Sequence, residues 1–193
     1  MTRLVERLNK EGRSAEMLRF PDRTTGVGSI ISAYLGRKEE LHDRAVHLLF
    51  SANRWELEQK IVRSLKAGTH VLVDRYAYSG VAFSAAKPGL SLEWCKQSDR
   101  GLPRPDLVCF LEVSEEAAAS RADWGGERYE LTEFQRAVRD NYSKLRGPDW
   151  VTVSGEGGLE QVEQALYTVV ETVLAGDRSG ELGRLWEEES TGS

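Results

Sequence analysis

Three arginine-bearing segments follow short apolar runs in this sequence. Phe20-Pro21-Asp22-Arg23 ends the run AEMLRF, Asp74-Arg75-Tyr76 closes HVLVD, and Arg121-Ala122-Asp123-Trp124-Gly125-Gly126-Glu127-Arg128-Tyr129 lies one helical stretch beyond LVCFLEV. A guanidinium grips phosphate through two parallel hydrogen bonds, so three such segments gathered at one end of a sheet would make a phosphate site. Each alone is a weak signal, because a lone Asp-Arg pair is more often a surface ion pair than a catalytic one. Phe50 and Arg54 are spaced one helical turn apart. A ring face beside a donor suits a nucleobase, which offers a planar ring and carbonyl acceptors. Leu57 and Ile61 share that side, so a helix buried on two faces is the competing reading. Gly125-Gly126 would permit a flap that closes over phosphates, or simply an exposed loop. His42, His47 and His70 lack metal-ligand spacing and read as surface or core residues. Trp94-Cys95 reads as a packing pair rather than a reactive one.

The elements that must position these residues alternate along the chain. Short β-branched runs cover Ala15–Phe20, His70–Asp74, Leu107–Val113 and Trp150–Ser154. Helix-period stretches cover Arg3–Glu11, Gly28–Leu35, Leu41–Lys66, Leu92–Ser98, Glu115–Ala122, Glu133–Leu145 and Leu159–Ala175. Gly12 and Gly68 fit helix C-caps. On the long helix Leu41–Lys66, the residues Leu41, Ala45, Leu48, Ala52 and Trp55 form one stripe, with Phe50 and Arg54 nearly opposite. Continuously apolar strands alternating with helices predict a parallel α/β sheet covered on both faces. Ligands of such sheets bind at the carboxyl ends of the strands, where the polar segments fall. One domain over 1–193 is expected. The closing ELGRLWEEESTGS begins as a candidate helix and ends, at 187–193, as a solvated acidic tail.

Composition narrows the function classes. The 26 basic and 31 acidic residues give a net charge of −5, which argues against a general nucleic-acid binder. Arginine outnumbers lysine 19 to 7. That excess reflects either anion sites or genomic base composition. Cys95 and Cys109 form neither a disulfide framework nor a CxxC pair, so a reducing, cytoplasmic setting is expected, with nucleus or mitochondrion also compatible. No apolar run approaches the ~20 residues that cross a bilayer, and no partnership with a membrane is expected.

At Phe20-Pro21-Asp22-Arg23, at His47 to Glu56 (HLLFSANRWE), at Asp74-Arg75-Tyr76 and at Tyr78 to Phe83 (YSGVAF), the sequence resembles thymidylate kinases of the eukaryotic-like type. The likeness continues through GLPRPD at Gly101–Asp106 and GERY at Gly126–Tyr129 to LGRLW at Leu182–Trp186. It implies the nucleoside monophosphate kinase fold, a P-loop NTPase-like parallel sheet. It also implies transfer of the γ-phosphoryl group of ATP to dTMP with Mg2+, giving dTDP and ADP for dTTP synthesis. By the same resemblance Arg23 and Arg75 hold the dTMP phosphate, Phe50 stacks on thymine, and Arg54 donates to a thymine carbonyl. Phe20 and Phe83 wall the pocket, Ser79 and Gly80 lie at the base edge, and Tyr129 disfavours ribonucleotides. Arg121 and Arg128 fall in a lid over the ATP phosphates, Ser154 and Gly155 lie near adenine, and Asp74 binds magnesium through water. A homodimer packed through helices is compatible with the two-sided Leu41–Lys66 stretch. Such chemistry rests on alignment and charge neutralisation, because phosphoryl transfer asks for little covalent help.

The sequence departs from the family in one respect. It contains no GxxxxGK[ST], and none of its lysines is followed by Ser or Thr. The family's first strand and P-loop are therefore expected to be missing, which makes the domain N-terminally incomplete and leaves unpaired strand edges near the middle of the sheet. Two readings follow: a longer natural protein that is a working kinase, or a truncated, catalytically impaired form that binds dTMP or pairs with an intact subunit.

Overall fold

The four apolar runs form four five-residue strands: β1 (Ala15–Arg19), β2 (His70–Asp74), β3 (Val108–Glu112) and β4 (Trp150–Ser154). Among the described residues these helices surround them: α1 (Thr2–Lys10), α2 (Gly26–Leu35), α3 (Asp43–Trp55), α4 (Glu58–Lys66), α5 (Ala77–Ala85), α6 (Leu92–Gln97), α7 (Thr132–Leu145) and α8 (Leu159–Leu174). The structure is a computed structural model, and it describes residues 1–114, 117, 132–176 and 180–187. The expected helix over Glu115–Ala122 and the acidic tail beyond 187 lie outside those residues, apart from Ala117.

Among the described residues the strands make two parallel pairs, β1 with β2 and β3 with β4. Register aligns Arg19 with Asp74 in the first pair and Glu112 with Ser154 in the second. The carboxyl ends of each pair are thus level, and the loops that follow leave the sheet side by side. Strand alternation splits the first pair between two layers. Ala15 and Leu72 face the cluster of Leu4, Leu8, Leu166 and Tyr167, from α1 and α8. Leu18, Val71 and Val73 face Ile61 and Leu65 of α4. The α1–α8 cluster also takes in Cys109 and Val153, so one apolar layer spans both pairs. Helices on both faces agree with the reading of the continuous apolar runs, but the burial does not reach a closed core. No residue of β2 or β3 is fully buried, and Leu111 is exposed. The single covered sheet predicted from those runs is realised as two pairs, each with an edge that no described strand joins.

Three other expectations change. The stretch Leu41–Lys66 is two helices, broken at Glu56-Leu57. Its apolar stripe faces outward: Leu48 is 50% and Trp55 40% exposed, whereas Val46, His47, Ser51, Asn53 and Arg54 are buried. Helix α5 has no counterpart among the helix-period stretches, because its apolar and small residues give it no polar face. It buries Ala77, Val81, Ala82 and Ser84 among α3, α6 and α7. The LGRLW segment is a strap rather than a helix. Pro103 and Arg184 form an antiparallel bridge, Leu185 N donates to Leu102 O at 2.8 Å, and Arg104 N donates to Gly183 O at 2.8 Å. Burial of Leu185 beside Leu102 and Ala77 outweighs a helix that Gly183 would weaken. Gly12 and Gly68 do follow their helices with φ of +79° and +77°, as C-caps require.

Polar side chains lace α3 to its neighbours. His47 is fully buried, with Nδ1 2.8 Å from Ser84 Oγ of α5 and Nε2 2.9 Å from the Cys95 carbonyl of α6. Cys95 itself is buried and its thiol is pushed up to about 11, so it packs and does not react. Burial holds the His47 pKa below its ordinary value. The unfolded chain then binds the extra proton as pH falls below ~6.5, while the folded chain resists it, so stability falls in that window. Urea midpoints measured at pH 7 and pH 5 are expected to differ less in His47→Gln than in the wild type. An equal difference would place the acid sensitivity elsewhere.

Candidate active site

The β1–β2 register brings together the first two arginine-bearing segments. Phe20 N donates to the Asp74 carbonyl at 3.0 Å, so Phe20-Pro21-Asp22-Arg23 and Arg75-Tyr76 emerge as adjacent loops. The first loop is pinned by Asn53, near the end of α3. Asn53 Oδ1 accepts from Asp22 N at 2.7 Å, and its amide donates to Asp22 O at 3.1 Å, to Thr25 Oγ1 at 3.0 Å and to Glu56 Oε2 at 3.0 Å. Asp22 closes the turn by accepting from the hydroxyl and backbone of Thr24, which hold its carboxyl below the usual range. Gly28 lets α2 ride against this loop, for a Cβ there would lie 1.8 Å from Asp22 O. Arg23 is exposed at the loop's tip. Arg75 is exposed too, with φ at +64° and its guanidinium carbon 5.4 Å from the centre of the Phe83 ring. A non-glycine residue in the left-handed region is strained, and such strain collects at ligand-binding positions.

One residue along α3 from Asn53, Arg54 turns the other way. Its Nε donates to Asp99 Oδ1 at 2.9 Å and its Nη2 to Asp99 Oδ2 at 2.6 Å. The pair is buried, with side chains 2% and 0% exposed. Removing one partner of such a pair costs about 3–5 kcal/mol, because the other charge is left buried and alone. Gly80 of α5 makes room for it: an added Cβ would sit 2.7 Å from Nη2 and 2.9 Å from Nη1 of Arg54. With Nε and one edge of Nη2 committed to Asp99, the guanidinium keeps hydrogens on Nη1 for another acceptor.

Phe50, half-buried on α3, packs against the α2 cluster of Ile31, Tyr34 and Leu35. Phe20 is more deeply placed than a pocket wall needs, at 3% exposure and with its ring 5.8 Å from that of Tyr76. Phe83 meets Phe134 of α7 as well as Arg75. Ser79 Oγ lies 2.7 Å from the Tyr142 hydroxyl, which fastens α5 to α7. Ser154 and Gly155 stand apart from these, at the end of β4. Gly155 N donates to Glu112 O at 2.7 Å, and Glu156 accepts from Ser114 N at 3.1 Å. Asp74 pairs with Arg19 through one carboxylate oxygen at 2.8 Å and is one-third exposed. Among the described residues no group of three or more His, Cys, Asp or Glu could hold a metal ion. A lone carboxylate nevertheless fits Mg2+, which is commonly held by one or two carboxylates together with substrate phosphates and water. Arg121, Arg128 and Tyr129 lie outside the described residues.

The arrangement therefore puts two exposed arginines, a ring and a buried, fixed guanidinium around the ends of β1, β2 and α3. That suits a phosphorylated planar ligand. Two of its supports escaped the sequence reading. Within HLLFSANRWE nothing marks Asn53 as the residue that pins a loop, and Asp99 belongs to no motif. Only the pairing of a buried arginine with a carboxylate 45 residues away would have marked Asp99, and no spacing rule reveals that.

Comparison with known proteins gives the family. The thymidylate kinase family profile matches residues 1–166. The chain is 44% identical to the thymidylate kinase of Danio rerio over 187 residues, 95% of this chain and 88% of that one. It is also 44% identical to that of Homo sapiens, over 188 residues, 96% of this chain and 89% of the other. A solved thymidylate kinase structure from Candida albicans superposes with a TM-score of 0.83 at 33% identity, covering 95% of this chain and 91% of that one. The chain belongs to the thymidylate kinase family.

Proposed function

We propose that this protein transfers the γ-phosphoryl group of ATP to dTMP, releasing dTDP and ADP. The family match over residues 1–166 carries this reading. The convergence of Arg23, Arg75 and Arg54 around the ends of β1, β2 and α3 supports it. Arg23 and Arg75 bind the dTMP phosphate from adjacent loops, which presents an oxygen to the incoming phosphoryl group. Phe50 stacks on thymine, Arg54 donates from Nη1 to a thymine carbonyl, and Gly80 keeps that path open. Ser79, tied to Tyr142, and Phe83 line the remaining edge, with Phe20 backing the pocket from the core. Asp74 would hold Mg2+, which supplies charge neutralisation between the two nucleotides' phosphates. Ser154 and Gly155 receive the adenine side of ATP. For Arg121, Arg128 and Tyr129 the family likeness alone supports the roles: donation to the ATP phosphates by the two arginines, and discrimination against ribonucleotides by Tyr129. The impaired form that binds dTMP without phosphoryl transfer is not favoured by relatives matched over 88–89% of their own length.

We propose a second copy of the chain as a partner, and the outward stripe of α3 supports it. Ala45, Leu48 and Trp55 are exposed there, and Ile30 of α2 is 41% exposed. A homodimer packed through these helices buries them. No helix among the described residues is long and apolar enough to cross a membrane.

The reaction is tested by dTMP-dependent release of ADP from ATP. Arg75→Ala is expected to lower kcat/KM for dTMP by about 10²–10³, the scale for removing one donor to a reacting group, with the melting temperature little changed, because Ala keeps a Cβ at the same left-handed position. Turnover that persists in this variant, or release that does not depend on dTMP, counts against the assignment. Sedimentation tests the partner: Leu48→Glu is expected to convert a dimer into a monomer, and a wild type that sediments as a monomer removes the dimer.

A further inference from the structure

The base-facing arginine has an anchor that takes no part in the roles above. We infer that Asp99 is the positioning residue that sets base selectivity in this protein, and that the C-terminal strap, residues 182–186, holds Asp99 in place. The inference rests on the proposed contact between Arg54 and a thymine carbonyl.

A guanidinium on a flexible stem can donate in many directions. Here two of its nitrogens are committed to the two oxygens of one carboxylate, at 2.9 and 2.6 Å, and the pair is shut away from water. Two parallel bonds fix the plane of the fork as well as its position. Gly80 flanks the plane so closely that a Cβ would strike it. What remains for a ligand is a defined edge ending in Nη1, which can meet an acceptor but offers nothing to a donor.

The carboxylate is fixed in its turn. Before it in sequence, the Ser98 carbonyl accepts from Ser51 Oγ at 2.8 Å and from Trp55 Nε1 at 2.8 Å, both on α3. After it, the strap takes hold. Gly101 N donates to Leu185 O at 3.0 Å, Leu185 N to Leu102 O at 2.8 Å, and Arg184 Nη1 to Gly101 O and to Glu58 Oε1, each at 3.0 Å. Asp99 therefore sits in a short loop sewn to α3 on one side and to the strap on the other. Displacement of this loop displaces the fork.

The test is equilibrium binding by calorimetry. The ligands are dTMP and two analogues, each lacking one ring carbonyl oxygen, at the 2 or the 4 position. For the full chain, dTMP is expected to bind more tightly than the analogue that lacks the acceptor Arg54 reaches. In Asp99→Asn, affinity for dTMP is expected to fall about ten- to hundredfold, the scale of a charge-assisted hydrogen bond, while affinity for that analogue stays within about threefold. A loss of equal size on all three ligands makes Asp99 a structural residue only and overturns the inference alone. A wild type that binds all three alike overturns the Arg54 contact and the inference together. Arg184→Ala is the second variant, readable even where the Asn variant does not fold, because it leaves the buried pair intact and unfastens the strap at an exposed position. It is expected to give the same selective loss at about two- to threefold, and unchanged selectivity removes the strap from the account.

Discussion

The Arg54–Asp99 pair constrains more of this protein than any other contact. A guanidinium and a carboxylate buried together are tolerable only when each satisfies the other in good geometry, so the helix that carries one and the loop that carries the other cannot shift independently. This explains why α3 is built inside out. Its polar residues His47, Ser51, Asn53 and Arg54 point inward, each matched to a partner on a neighbouring element, while Leu48 and Trp55 face outward. Apolar packing alone would hold α3 without fixing its rotation, but five or more directional bonds along one face fix both. The last turn then works as a junction: Asn53 governs the loop that carries Arg23, and Arg54 carries the contact proposed for the base.

Parallel pairing supplies the other half of the arrangement. Because β1 and β2 run together with Arg19 opposite Asp74, the two loops bearing Arg23 and Arg75 begin at the same level. Neither loop needs to reach across the molecule. A phosphate held there would lie at the carboxyl end of the strands, the general location of ligands in open α/β sheets, while β3 and β4 set Ser154 and Gly155 at the corresponding end of the second pair.

Much of this was legible in the sequence, and the parts that were not share a cause. The four strands and most helices followed from apolar runs and periodicity, and the segments carrying Arg23 and Arg75 from their position after strands. Periodicity failed where polarity no longer reports exposure. Helix α5 has few polar residues to mark an outer face, so its repeat is invisible. The stripe from Leu48 to Trp55 follows helical spacing but marks the solvent side, because the buried side is filled by hydrogen-bonding groups. Asp99 and the strap depend on residues distant in sequence, where neither spacing nor composition carries a signal. Spacing from Phe50 marks Arg54, whereas nothing nearby in sequence marks the carboxylate that makes its burial tolerable.

The strap also bears on the order in which the molecule is assembled. Leu185 bonds to Leu102 across more than eighty intervening residues, and Arg184 reaches back to Glu58. During synthesis the β1–β2 pair and α3 leave the ribosome long before these partners do, and a domain folds as a unit. The loop bearing Asp99 must therefore wait, held on its α3 side only, until residues 182–186 arrive. The segment that looks most peripheral on paper is the one whose arrival completes the setting of Arg54 and its carboxylate.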